Sequence, residues 1–119
     1  LLSENFIVDP RDRLWIIDWE YGGMNDPFFD LGDVAVEHPL SPKQEEKLLS
    51  AYAGRYEPEE LARMRLHKLT ADVWWGMWGM IQDKISALDF DFKAYGLHRF
   101  QRFRDNHAKG GTPALLEIV

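Results

Sequence analysis

The stretch "NFIVDPRDRLWIIDW", residues 5–19, constrains this chain more than any other. Phe6-Ile7-Val8 and Leu14-Trp15-Ile16-Ile17 are short runs rich in β-branched and aromatic residues, the composition of strands. Between them, Asp9-Pro10-Arg11-Asp12 suits a type I turn, with Asp first and Pro second. The segment therefore reads as a β-hairpin, and no later stretch reads as strand. A single hairpin is marginal in water. It must pack on the rest of the chain or on something beyond it.

The rest of the chain reads as helix. From Pro27 to about His38, the residues Phe28, Leu31, Val34 and Ala35 fall on one face. Pro27 suits a first turn, where its missing N–H is no loss. "HPLSP" breaks this helix. Ser41-Pro42 then opens "PKQEEKLLSAYAG", with Ser41 as N-cap and Gly54 as the stop. Glu57-Pro58 opens a third helix, read to about Leu88, and a fourth spans about Phe92 to Ala108. The expected fold is α+β and mainly α, one hairpin followed by helices. Residues 1–26 form the hairpin and a glycine-bearing loop, 27–108 a helical part, and 109–119, "KGGTPALLEIV", a tail.

At 119 residues the chain is long enough for one core. Its net charge of −6 argues against a nucleic-acid partner and is compatible with a small cationic one. It has no cysteine, so disulfides and thiolate metal sites are out. No stretch reads as a signal peptide or membrane span, so no membrane insertion and a cytoplasmic placement are expected. Aromatic residues make up 13%, more than a minimal core requires.

Asn5 immediately precedes the first strand and Asp18 immediately follows the second. Antiparallel pairing brings them side by side at the open end of the hairpin. Two hard oxygen donors suit Mg²⁺, which takes one or two carboxylates plus phosphates and water. From spacing alone, polar caps on the strand ends are the commoner reading.

The residues around the pair add to this. "LLSENFIVD" followed by "LWIIDWEYGG" resembles the catalytic-loop and metal-loop pair of the protein-kinase-like fold, closest to its aminoglycoside phosphotransferase and choline kinase branch. The resemblance makes the chain part of a C-terminal helical lobe, with one hairpin carrying the metal loop. Asn5 matches the Asn of the His-x-Asp-x-x-x-x-Asn loop, and Asp18 the aspartate of the Ile-Asp-Phe/Trp-Glu motif; both hold Mg²⁺ at the phosphates of ATP in that family. Glu20 stands beside the motif and is expected to support a second ion. The family's catalytic Asp, five residues before the Asn, falls just upstream of Leu1, and the nucleotide-gripping N-terminal lobe is not represented. That absent lobe, or a second copy of the chain, is the expected partner for any apolar surface it leaves exposed.

"NDPFFDLGDVAVEH" resembles a choline kinase segment reading roughly Phe-Asp-Ile-Gly-Asn-His-Phe-Cys-Glu-Trp. The resemblance gives Asp30 a supporting role beneath the catalytic loop and places Glu37 near an amine pocket. By residue type alone, Asp30 is a first-turn charge favoured by the helix dipole, and Glu37 a solvated face residue.

The third helix carries "VWWGMWGMIQDKIS". Trp75 and Trp78 are i and i+3 and share a face, with Gln82 on the same side. Trp74, Met77, Ile81 and Ile85 point partly elsewhere and are expected to face the core. Gly76 and Gly79 each cost about 1 kcal/mol in an exposed helix, which is understandable if a backbone or ligand approaches closely there. An aromatic stripe at helical spacing is most often core. Over positions 75–100, however, the sequence resembles the choline/ethanolamine kinase stretch Trp-Gly-Leu-Trp-x-Ile-x-Gln-x-Lys-Ile-Ser-x-Ile-x-Phe-x-Tyr-x-x-Tyr. There Trp75, Trp78 and Tyr95 match residues lining the pocket for a quaternary ammonium, and Tyr21 matches a further pocket tyrosine.

The resemblance implies a phosphotransferase that moves the γ-phosphoryl of ATP, with Mg²⁺, onto the hydroxyl of choline. The alternatives are ethanolamine, another amino alcohol or an aminoglycoside as acceptor, or a non-catalytic quaternary-ammonium binding module. With the base expected upstream of Leu1, the isolated 119-residue chain is predicted not to turn over. Incubating it with MgATP and choline and assaying phosphocholine checks this; ATP-dependent product would overturn it.

Overall fold

The computed structural model describes residues 2–109 and 111–119. A 3₁₀ turn, Ser3–Asn5, leads into β1 (Phe6–Val8) and β2 (Leu14–Ile16), which pair antiparallel with Phe6 opposite Ile16. The helices are α1 (Pro27–Glu37), α2 (Pro42–Ala53), α3 (Pro58–Ile85), α4 (Phe92–Ala108) and α5 (Gly111–Leu116).

The hairpin turn closes as its sequence dictates. The Asp12 N–H donates to the Asp9 carbonyl at 2.9 Å, and Asp12 takes the left-handed conformation at φ 58°. That is a type I turn followed by a left-handed residue, a common three-residue hairpin connection. The Asp9 carboxylate accepts from the backbone N–H groups of Arg11 and Arg13, from Arg13 Nε and from Trp15 Nε1. The Arg13 backbone N–H first, then the Trp15 indole, hold its pKa down at about 2.

Each long helix begins where its sequence says. Asp26 caps α1, its side chain accepting from the Phe28 N–H. Ser41 precedes α2, and Gln44 reaches back to accept from the Ser41 N–H at 2.9 Å, the return half of a capping box. Gly54 ends α2 at φ 72°. Asp91 caps α4 through the Ala94 N–H. Where the sequence reads as a tail, Gly111–Leu116 instead forms the short α5 against α3 and α4. Thr112 is tied back to α4 by His107, 2.9 Å away, which stops the segment trailing free. Gly110, in the same stretch, lies outside the described residues.

The core sits where α1, α2 and α3 meet. Phe28, Leu49, Leu61 and Met64 are buried together, with Leu31, Leu48 and Ala53 packed against them. The 28-residue α3 is the axis of the molecule, with α1 and α4 against it. Glycine permits both contacts. A Cβ on Gly32 would fall 2.5 Å from the Lys68 backbone nitrogen and 2.9 Å from the Met64 carbonyl oxygen. One on Gly79 would lie 3.0 Å from the Phe92 carbonyl oxygen and 3.1 Å from the Gly96 Cα. Gly79 of "WWGMWGM" therefore admits a neighbouring backbone, while Gly76 makes room for the Phe100 ring, which would lie 2.6 Å from a Cβ there.

The outward residues of α3 differ from expectation. Trp74 and Met77 are each 48% exposed, Ile81 56% and Ile85 70%. The physical reason is that this part of α3 buries Asp72, Gly76 and Gly79 against its neighbours. Trp74, Met77, Ile81 and Ile85 are left on the opposite face.

Gly32→Ala is predicted to destabilise the fold by about 1–3 kcal/mol, because its added carbon meets backbone that cannot rotate away. Thermal unfolding of the variant beside the parent protein checks this.

Candidate functional site

A cleft of about 920 Å³ opens between the hairpin, the loop after it, α1, α3 and the start of α4. Asn5, Asp18, Glu20, Tyr21, Asp30, Asp33, Trp75, Trp78 and Tyr95 all line it. Four lining carboxylates, Asp18, Glu20, Asp30 and Asp33, face no lining Lys or Arg among the described residues. The remainder of the wall is largely aromatic, with Trp19, Phe29, Trp74, Phe90 and Phe92 contributing. An acidic, ring-lined cavity of this size suits a small organic cation.

At one end the hairpin brings Asn5 and Asp18 together. The Ile17 N–H donates to the Asn5 carbonyl at 3.0 Å, extending the ladder one step past the strands. Asp18 then turns left-handed at φ 68°, and Asn5 Nδ2 donates to Asp18 Oδ2 at 3.1 Å. Glu20 is exposed close by, and its hydrogen-bonded contact with the Asp18 carboxylate holds its carboxyl above the ordinary range. An amide oxygen and two crowded carboxylates are a donor set that fits a hard divalent cation. Among the described residues no group of three or more His, Asp or Glu side chains forms a closed metal cage. The fit is thus to an ion that draws most of its ligands from substrate and water.

The opposite wall is a chain of edge-to-face rings. Trp75 and Trp78, one turn apart on α3, have centroids 5.7 Å apart at 79°. Trp78 meets Tyr95 at 6.0 Å and Phe92 at 5.6 Å, and Tyr21 meets Trp75 at 6.2 Å. Two hydrogen bonds fix the indoles. Trp78 Nε1 donates to the Tyr21 hydroxyl at 3.0 Å, and Trp75 Nε1 donates to Asp33 Oδ1 at 2.7 Å. Tyr21 thereby ties the loop that follows Asp18 to α3.

Glu37 stands apart from the cleft lining. It is gripped by both terminal nitrogens of Arg99, one contact at 2.7 Å, and the paired side chains are 7% and 6% exposed. Burial works against the charge on Arg99, but the hydrogen bonds and field of Glu37 outweigh it and hold its pKa above the ordinary guanidinium value. Arg99 Nη2 also donates to the Tyr95 hydroxyl at 2.9 Å, and its guanidinium lies over the Tyr95 ring. Burial raises the Tyr95 pKa, with Arg99 opposing. Glu37 therefore meets the ring wall at one remove, through Arg99 and Tyr95. Asp30 is exposed in the cleft, and its side chain makes no hydrogen bond or ion pair among the described residues.

Two residues that matter were not singled out by the sequence. Arg99 is four residues after Tyr95, a same-face spacing that could have pointed to it. Asp33 is four residues after Phe29, and both line the cleft. A second buried carboxylate, Asp72, takes Arg102 Nε at 2.9 and 3.0 Å and lies 3.6 Å from Arg99.

Comparison with known proteins shows what this chain is similar to. Residues 1–67 match the Phosphotransferase enzyme family. The chain superposes on the crystal structure of a choline/ethanolamine kinase family protein from Mesorhizobium loti with a TM-score of 0.86. It is 40% identical to that protein, with 98% of this chain and 40% of that one covered. Protein LicA of Haemophilus influenzae is 33% identical over 83% of this chain and 38% of its own length. Ethanolamine kinase 2 of Homo sapiens is 31% identical over 87% of this chain and 32% of its own length. The chain thus spans two fifths or less of the length of these proteins.

Glu37→Gln is predicted to cost about 3 kcal/mol. That is the low end for breaking a buried ion pair, because Asp72 remains near Arg99. Denaturant unfolding at neutral pH measures it.

Proposed function

This chain belongs to the phosphotransferase enzyme family, and from that membership we propose that the protein carrying it transfers the γ-phosphoryl group of ATP to the hydroxyl of a small cationic amino alcohol, choline first. The observation that supports this reading is the joining of an oxygen-donor pair and a wall of rings in one acidic cleft. A trimethylammonium group has no N–H to donate. Aromatic faces recognise it, each worth about 0.5–1 kcal/mol when exposed and roughly 2 or more when desolvated.

The roles follow from position. Asn5 and Asp18 would hold Mg²⁺, with Glu20 in support. When bound, the ion neutralises phosphate charge during transfer. Trp75, Trp78, Tyr95 and Tyr21 hold the ammonium end of the acceptor, which sets its hydroxyl toward the donor. Arg99, anchored by Glu37, fixes the Tyr95 ring from behind. Asp30 faces the same space from α1.

A second acceptor, ethanolamine, is favoured by the names of the similar proteins from Homo sapiens and Arabidopsis thaliana, called ethanolamine kinase and probable ethanolamine kinase. Its ammonium donates hydrogen bonds, so it would lean on carboxylates more than on rings.

Initial rates of the protein carrying this sequence, with MgATP and choline, ethanolamine or an aminoglycoside, test the reading. Trp78→Ala is expected to raise KM for choline about thirtyfold, matching loss of a desolvated cation–ring contact, and to raise KM for ethanolamine less. Transfer to none of these acceptors would sink the proposal. Transfer to the aminoglycoside alone would replace it with a different acceptor class.

A further inference from the structure

One lining carboxylate has no role in the scheme above. Asp33 is 3% exposed, whereas Asp18, Glu20 and Asp30 all lie open to solvent. Its place on α1 points it at the ring wall of α3, and its Oδ1 accepts the Trp75 indole N–H at 2.7 Å.

That bond has two consequences. First, it fixes the indole. A charged acceptor makes a shorter and stronger hydrogen bond than a neutral one, so the Trp75 ring is held in one orientation against Trp78 and Tyr21. Second, it sets a negative charge at the edge of the indole. The ring's edge is positive and its face negative. A carboxylate at the N–H edge pushes electron density toward the face, where a cation is attracted. Burial strengthens the effect, because a charge in a poorly polarisable surrounding acts over a longer range. The influence of Asp33 extends across the wall to the Tyr95 phenol, whose pKa is raised first by burial, with smaller contributions that include Asp33. Glu37, the carboxylate suggested by sequence pattern, cannot serve in this way. It stands outside the lining.

We propose that Asp33 is the specificity-determining residue for positive charge in this cleft, acting through the Trp75 indole that it orients and polarises. The inference rests on the amine-acceptor reading given above. It makes Asp33 a positioning residue and a source of electrostatic selectivity, and it assigns the residue no part in the transfer step.

The test separates charge from shape. Choline is compared with its neutral carbon isostere, in which a tert-butyl group replaces trimethylammonium. Both are measured as phosphoryl acceptors and as inhibitors of each other, in the protein carrying this sequence. Asp33→Asn keeps the size of the side chain and an oxygen for the Trp75 N–H but removes the charge. The expected result is at least a tenfold fall in the preference for choline over the isostere, carried by KM rather than kcat. Should the Asn variant fail to fold, Asp33→Ser, which also offers an oxygen, is measured the same way. An equal loss for both compounds, with the preference unchanged, would mean that Asp33 only braces α1 against α3, and would overturn the inference while leaving the amine reading intact. A parent protein that prefers the isostere to choline, or binds neither choline nor ethanolamine, would overturn both.

Discussion

Backbone-to-backbone contact along α3 is the constraint on which the rest of this molecule depends. At Gly32, α1 rides on the main chain of α3 near Met64 and Lys68. At Gly79 and Gly96, α4 does the same one side over. Helices this close cannot be separated by even a methyl group without moving as rigid bodies, since protein interiors do not yield smoothly. The contacts bring three helices near enough for Asp33 on α1, Trp75 on α3 and Tyr95 on α4 to line one cavity. They also decide which side of α3 is buried, and so why its bulky residues line a cleft or meet solvent.

Charge is then sorted by burial. Arg99, deep between the helices, and Arg102, partly exposed, take up Glu37 and Asp72. Such pairs gain little net stability when intact but are costly to break, so they act chiefly to fix geometry. Once these two carboxylates are engaged behind the wall, the ones that remain at the cleft all carry the same sign. Among the described residues the cleft lining holds four carboxylates and no Lys or Arg, which is a different matter from the chain's modest overall charge of −6.

The hairpin contributes its ends rather than its strands. Its strands are three residues long and much of their surface is exposed. What they accomplish is to set Asn5 beside Asp18 and to launch a loop whose next anchor is Tyr21 on Trp78. The oxygen donors and the ring wall are consequently parts of one connected structure. Asn5 bonds to Asp18, and three residues on Tyr21 bonds to the indole of α3.

The hairpin, its turn, the starts of α1 and α3, the cap of α2 and the extent of α4 were legible in the sequence, whereas α3 stops at Ile85, short of the Leu88 expected. They arise from local chemistry: Asp-Pro at a turn, Ser-Pro at a helix start, Gly at a helix end. The pairing of Asn5 with Asp18 was legible for the same reason, since hairpin register follows from turn length. The facing of Trp75 and Trp78 followed from helical spacing alone. The role of Glu37 did not, because its partner Arg99 is 62 residues away and on a different helix. Trp74, Met77, Ile81 and Ile85 were misplaced for a related reason. Periodicity tells which residues share a face, but two apolar faces on one helix carry no mark of which is covered. The sequence by itself determined the elements and the two residue sets, oxygen donors and rings. Only the tertiary structure decided that Asp33 joins the rings while Glu37 is withdrawn to Arg99. That choice turns on how closely α1 and α4 approach α3, and glycine contacts far apart in sequence set the distance.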